Sequence, residues 1–210
     1  MEEKLIALTF DDGPNTEITP QVLDLLSEYG ITASFFLIAN NITPESAKMA
    51  RRAWDMGCTI ENHSVTHRFM AKMEPEEIRR EIDVCSEKIA EITGEMPKFF
   101  RPPYIDISPT LFETVDLTFI CGVGCRDWEP EVPAEERTRI LLSSLKDGDL
   151  VLLHDMTGNI ETVKALRTVI PTLLDRGFRF TTCGNLFKEK GVSPVRGRLY
   201  SNVLQRSDRV

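Results

Sequence analysis

Short apolar runs rich in Ile, Val, Leu, Phe and Thr alternate along this chain with longer amphipathic stretches. The runs at residues 4–9, 33–38, 58–61, 98–100, 117–122, 149–153 and 178–182 read as strands, each brief and bounded by turn residues. Thr19-Pro20, Thr43-Pro44 and Ser108-Pro109 each set a capping hydroxyl before a proline suited to a first helical turn. Glu74-Pro75 opens a longer helix with a weaker cap. Gly30, Gly57, Gly94 and Gly177 fall where helix ends require positive φ. The last main helix covers residues 160–175, and Pro171 inside it is expected to kink or split it. Seven β-then-α steps in 210 residues imply one domain of mainly parallel strands with helices outside them. A doubly wound sheet and a barrel both satisfy this spacing. Residues 191–210 lack a clear period and are expected to form a surface extension of a domain spanning 1–190.

Composition sets the outer bounds. Hydrophobic content of 41% and charged content of 28% are ordinary for a globular protein. A net charge of −8 argues against a nucleic-acid partner or an anionic membrane surface. The five cysteines (Cys58, Cys85, Cys121, Cys125 and Cys183) are odd in number and lack metal or redox spacing, so they read as free thiols of a reducing compartment. The acidic N-terminus runs straight into a strand, without the pattern of a signal peptide or a membrane span. As written, the chain is expected in the cytoplasm; with a leader trimmed from it, it is expected to be secreted.

The residues able to do chemistry sort to one edge. Asp11 and Asp12 follow the first strand, His63 and His67 the third, Arg101 the fourth, Asp127 the fifth and His154 the sixth. In parallel α/β architectures the C-terminal ends of strands are where sites assemble. All three histidines of the chain lie there, as a metal-dependent hydrolase requires. Gly13-Pro14 ends the first strand at once, so the backbone can turn both carboxylates toward one site, one as ligand and one as general base; an ordinary Asx turn is the structural alternative. The H-x-x-x-H spacing sets two imidazoles on one side of a helical turn, and with a carboxylate they make a facial triad with open positions. Arg101, stiffened by the two prolines after it, is suited to hold a carboxylate or to form a structural salt bridge. A histidine such as His154, held by a carboxylate, is a tuned general acid, and Trp128 can wall a small apolar pocket.

TFDDGP at 9–14, HSVTH at 63–67, RPPY at 101–104, RDW at 126–128 and LLHD at 152–155 together resemble the polysaccharide deacetylase family, the NodB-homology group of carbohydrate esterases. Five motifs in order, spanning nearly the whole chain, carry that resemblance. It implies a distorted (β/α) barrel, TIM-like, with about seven parallel strands. It implies that Asp12, His63 and His67 bind one divalent metal, zinc foremost, with cobalt or nickel as alternatives. Asp11 would then be the catalytic base and Arg101 its tether, His154 the catalytic acid and Asp127 its orienting partner. The Tyr104 N–H would help hold the oxyanion, and Trp128 and Leu152 would shape the acetyl pocket.

Two positions depart from the family pattern: Ile105 stands where glycine is common, and Gly124 where the fourth motif often begins with Asp. The expected activity is removal of acetyl groups from N- or O-acetylated sugars of the chitooligosaccharide, peptidoglycan or acetylxylan type. A metal-dependent amidase or esterase acting on a non-carbohydrate is the alternative, favoured by Ile105 and by the lack of an evident aromatic sugar platform. A carbohydrate-binding pseudoenzyme would need a broken catalytic set, and none of its polar residues is missing. The expected partner is an acetylated oligo- or polysaccharide, with neither nucleic acid nor membrane. The sequence leaves the oligomeric state open.

Overall fold

The computed structural model describes residues 3–205. The chain alternates as expected: β1 (Lys4–Asp11), α1 (Thr19–Tyr29), β2 (Ser34–Leu37), α2 (Ser46–Asp55), β3 (Thr59–Asn62), α3 (Pro75–Thr93), β4 (Phe99–Phe100), α4 (Pro109–Thr114), β5 (Thr118–Ile120), β6 (Val123–Gly124), α5 (Ala134–Ser144), β7 (Leu150–His154), α6 (Ile160–Asp175), β8 (Phe178–Phe180), α7 (Cys183–Glu189) and β9 (Leu199–Tyr200). The strands form one curled sheet in the order β6-β7-β1-β2-β3-β4-β5-β9, with β8 also paired to β1. Every ladder between these strands is parallel. The architecture is the distorted barrel that the resemblance implies. All seven expected strands form, and the two-residue strands β6 and β9 add to them.

β1 organises the rest. Its residues 4–6 pair with β8, residues 7–11 with β7, and residues 9–11 with β2. Its side chains alternate between two environments, as a strand requires. Ile6, Leu8 and Phe10 join the main apolar cluster with residues of α1, α2, α3, α5 and α6. Leu5 and Ala7 face the barrel interior, in a cluster with Phe36, Phe99, Leu186, Phe187 and Tyr200. Thr9 and Asp11 continue that inner face, so the interior is apolar at the start of β1 and polar at its end. The polar end holds the candidate site.

Residues 193–197 lie exposed, as a surface extension would, but residues 199–203 are built into the barrel; residues 206–210 of the expected extension lie outside the described residues. β9 pairs with β5, the Ser201 carbonyl accepts from Leu150 N–H at 3.0 Å, and Val203 N–H donates to Gly148 at 2.9 Å. This segment therefore bridges β5 and the start of β7. Tyr200 and Val203 are 1% and 2% exposed. β9 is two residues between Arg198 and Ser201 in a stretch without a β-then-α pattern, so nothing in the sequence sets it apart.

Two local expectations also change. Pro171 lies inside α6, and the helix remains a single element. Its missing N–H strands only the carbonyl of exposed Arg167, which water can reach. Thr19 is the first residue of α1 and not its cap: Ile18 precedes the helix, and Asn15 Oδ1 accepts from the N–H groups of Glu17 and Ile18 at 3.0 and 2.7 Å in the turn ahead of it. Ser108 caps α4 as expected, accepting from Leu111 N–H, and Gly30, Gly57, Gly94 and Gly177 all have positive φ. The five cysteines are free, and burial pushes the thiols of Cys85, Cys125 and Cys183 up to about 12. Among the described residues no helix is long and apolar enough to cross a membrane.

The buried tail predicts a stability effect. Tyr200 packs edge-on against Phe187 at 4.9 Å, and its hydroxyl accepts from Val195 N–H at 2.9 Å. Tyr200→Ala is expected to lower unfolding free energy by about 3 kcal/mol in a urea titration. A loss below about 0.5 kcal/mol, the usual size for a surface change, would contradict the closing role of this segment.

Candidate active site

Asp11 is the last residue of β1, and Asp12 follows with φ 71. Asp tolerates this left-handed backbone better than most residues, and the turn lets consecutive carboxylates share one side of the chain. The chain behind them fits only glycine, because a Cβ at Gly13 would sit 2.8 Å from both Asp155 carboxylate oxygens. Asp155 is fully buried, accepts from the Thr19 hydroxyl, and is pushed up to about 7 by that burial.

His63 and His67 reach the site differently from the helical turn expected of their spacing. Residues 63–68 form an irregular loop, with Ser64 and His67 at φ 68 and 55. Glu81 of α3 holds this loop: it accepts from the N–H groups of Val65 and Thr66 at 2.9 and 2.8 Å, and from the Thr66 hydroxyl at 2.7 Å. Asn62 adds a bond from Ser64 N–H at 2.8 Å. A side chain thus meets the backbone donors that a helix would have satisfied. The two imidazoles still converge, with centroids 4.8 Å apart.

Asp12, His63 and His67 form a divalent-metal site. One ligand atom from each lies within 4.8 Å of the others. Asp12 Oδ1 is 3.4 Å from His63 Nε2 and 3.3 Å from His67 Nε2. It is buried and has no hydrogen-bond partner among the described residues, as a ligand oxygen awaiting a cation should be. His63 Nδ1 lies 2.6 Å from the Arg101 carbonyl, which can only accept, so Nδ1 carries a proton and Nε2 is the nitrogen turned toward the site. Burial opposes ionisation of Asp12, but the neighbouring histidines outweigh it and hold the carboxyl below its ordinary value. Burial and the neighbouring His63 lower the His67 pKa, favouring the neutral ligand form.

Two paired groups flank the triad. On one side Arg101, fully buried, donates to Asp11 Oδ1, to Thr9 Oγ1 at 2.8 Å and to the Cys121 carbonyl, with its guanidinium over the Phe36 ring at 4.4 Å. The other oxygen, Asp11 Oδ2, lies 3.7 Å from His63 Nε2. On the other side His154 Nδ1 meets Asp127 Oδ1 at 2.9 Å. Burial disfavours the charged ring of His154, but the Asp127 bond and charge, aided by Asp11 and Asp12, lift it to about 9.

Asp127 is itself clamped by residues that no motif reveals. Its Oδ2 accepts from His154 N–H at 2.7 Å and from the Thr162 hydroxyl at 3.0 Å. Arg137, 1% exposed, donates to both Asn159 and Thr162 from behind. Glu81, Asn159, Thr162 and Arg137 are ordinary polar residues of helices or turns in the sequence. Only their burial marks them.

Asp11, Asp12, His63, His67, Tyr104, Trp128, Leu152 and His154 line one pocket of about 350 Å3, with Pro102 and Ile105. Arg101 and Asp127 stand behind its wall. Every site residue expected from the sequence is thus brought to one place. Tyr104 and Ile105 are both left-handed, at φ 57 and 54. For β-branched Ile105, at a position expected to be glycine, this backbone costs roughly 1–3 kcal/mol. The Tyr104 N–H is the first after two prolines and has no acceptor among the described residues.

Fold and site together define a parallel barrel with a metal centre and two acid–base pairs at its strand ends. The family profile for polysaccharide deacetylase matches residues 1–118, and the chain belongs to that family. It is 46% identical over 202 residues to a bifunctional xylanase/deacetylase of Pseudobutyrivibrio xylanivorans, an alignment covering 96% of this chain and 33% of that protein. The chain therefore spans about a third of that relative's length. It is similar to the Xyl-CE4 domain of a multidomain xylanase from the hindgut metagenome of Trinervitermes trinervoides, with TM-score 0.94, 42% identity and coverage of 96% and 98% of the two chains. It is also similar to a family 4 acetyl xylan esterase from Clostridium thermocellum in complex with a cobalt ion, with TM-score 0.92, 41% identity and coverage of 96% and 100%.

The ligand assignment separates the adjacent carboxylates. After dialysis and elemental analysis, Asp12→Ala is expected to retain less than about a tenth of the wild-type metal, because a three-ligand site loses its only anion. Asp11→Asn is expected to retain it. Equal metal in Asp12→Ala and wild type would contradict the assignment.

Proposed function

We propose that this chain hydrolyses acetyl groups from acetylated sugars, with O-acetylated xylan as the preferred substrate class and zinc as the resident ion. The observation that carries this reading is the pairing across one pocket: Asp11 held by Arg101, and His154 held by Asp127, on either side of Asp12, His63 and His67. Hydrolysis needs a base for the attacking water and an acid for the departing group, and this geometry separates them. Two imidazoles and a carboxylate form a donor set suited to zinc. Similarity to a xylanase/deacetylase and to an acetyl xylan esterase supports the substrate class.

The ion's chemistry at such a site is to acidify a water and to polarise the acetyl carbonyl. The chain's own residues do the rest. Asp11 takes the proton from the attacking water through Oδ2, while Arg101 fixes Oδ1 and keeps the carboxylate aimed. The C–O bond of the tetrahedral adduct then breaks, and His154 Nε2 gives its proton to the departing sugar oxygen. A pKa of about 9 keeps His154 charged at neutral pH, ready to donate. The Tyr104 N–H donates to the oxyanion, a contribution of about 3–4 kcal/mol for such donors in studied hydrolases. Trp128, edge-on to His154 at 5.7 Å, and Leu152 wall the acetyl methyl.

Acetate release from acetylated xylan, N-acetylated chitooligosaccharides and aryl acetates, assayed side by side with zinc or cobalt, tests the activity. Release is expected from all, fastest from acetylated xylan. No release from either sugar would overturn the reading.

The acid assignment predicts a pH effect of definite sign. Activity requires protonated His154 and is lost as pH rises through its raised pKa. Asp127→Asn removes the charge that raises it, so the alkaline limb of kcat is expected to move at least one unit lower, with kcat down roughly a hundredfold. An unmoved alkaline limb would exclude His154 as the acid.

A further inference from the structure

Three aromatic rings among the described residues are exposed as large apolar groups: Phe69 at 65%, Tyr104 at 58% and Trp128 at 46%. Two stand in the active-site pocket and the third stacks on one of them. Tyr104 and Trp128 line it. Phe69 lies one ring further out, stacked on Tyr104 with centroids 4.1 Å apart and planes at 17°. Tyr104 in turn tilts against His67 at 4.6 Å. The aromatic surface thus extends outward from the metal side of the pocket.

Phe69 contributes nothing to the core. It belongs to none of the apolar clusters that hold the barrel and its helices together. Its backbone is nevertheless anchored on both sides. Arg68 reaches Glu81 at 3.4 Å, Met70 is fully buried with Phe100 and Ile78, and Ala71 N–H donates to Asp106 at 2.7 Å. The last bond ties this segment to the loop that carries Tyr104. A chain fixed this firmly presents an exposed ring in one orientation, so a ligand meeting it loses little to ordering the protein. With Tyr104 covering one face of Phe69, the opposite face and the edge are left to solvent.

A pyranose is polar around its rim but presents C–H groups on its faces. Such a face can lie on an aromatic ring while the hydroxyls stay hydrated. We propose that Phe69, backed by Tyr104, is the stacking platform for the sugar residue next in the chain to the one being deacetylated. It makes the protein prefer oligosaccharides to single acetylated sugars. This deepens the deacetylase reading above and rests on it.

The test uses Phe69→Ala and Phe69→Trp in the full chain. Phe69 is largely exposed, so both variants are expected to fold. On acetylated xylooligosaccharides of three or more units, Phe69→Ala is expected to raise KM roughly three- to tenfold, and Phe69→Trp to restore it. On 4-nitrophenyl acetate, too small to reach the platform, kcat/KM should change less than twofold. Unchanged KM on oligosaccharides would overturn the proposal. So would an equal loss on both substrates, because Phe69 would then act only by holding the Tyr104 loop. A second measurement is independent of turnover: NMR titration of wild type and Phe69→Ala with unacetylated xylohexaose and chitohexaose. Weaker binding by the variant upholds the platform even if no acetate is released, in which case only the deacetylase reading fails. Equal binding, or none by the wild type, removes the platform whatever the activity.

Discussion

Two consecutive carboxylates, Asp11 and Asp12, sit in a partly enclosed pocket beside a third, buried Asp155. Concentrating negative charge in a medium of low dielectric is unfavourable unless cations answer it. The surrounding structure supplies that answer in two parts. Arg101, drawn wholly inside the barrel, pairs with Asp11. Asp12 has only imidazoles near its Oδ1, and that oxygen has no hydrogen-bond partner among the described residues. A cation at Asp12 is therefore favoured electrostatically as well as chemically.

The barrel explains how distant segments meet this requirement. Because β1 pairs with β2, β7 and β8, its end lies beside the ends of its neighbours, and residues separated by some 140 positions become adjacent, as in the register of Asp11 with His154. At the opposite end, α7 and the C-terminal segment fill the interior with apolar groups. The same inner face of β1 thus runs from Leu5 and Ala7, which stabilise, to Thr9 and Asp11, which serve the site. Strain gathers at that end too: Asp12, Ser64, His67, Tyr104 and Ile105 all hold left-handed backbone there. Such residues persist where the surrounding packing leaves the chain no alternative.

The sequence made much of this legible, for physical reasons. Strands of four or more residues buried on both faces leave continuous apolar runs, and the polar residue after each run marks a strand end. The motif residues were legible because reactive side chains are few and their order is distinctive. Other features leave no such trace. β6 and β9 are two residues each, and neither has the aromatic pair followed at once by Arg101 that marks the equally short β4. The loop route to His67 depends on Glu81, a residue of α3 that reads as one more helix carboxylate. Asn159, Thr162 and Arg137 form a buried clamp only once α5 and α6 pack together. Phe69 in sequence is a lone aromatic in a loop, and only its stacking on Tyr104 gives it meaning.

The central claim is that Asp12, His63 and His67 hold one divalent ion. X-ray absorption spectroscopy of the zinc-loaded protein addresses it directly. Two imidazole nitrogens at about 2.0–2.1 Å with oxygen completing the shell are predicted. A sulfur shell near 2.3 Å, or a shell without imidazole scattering, would contradict it.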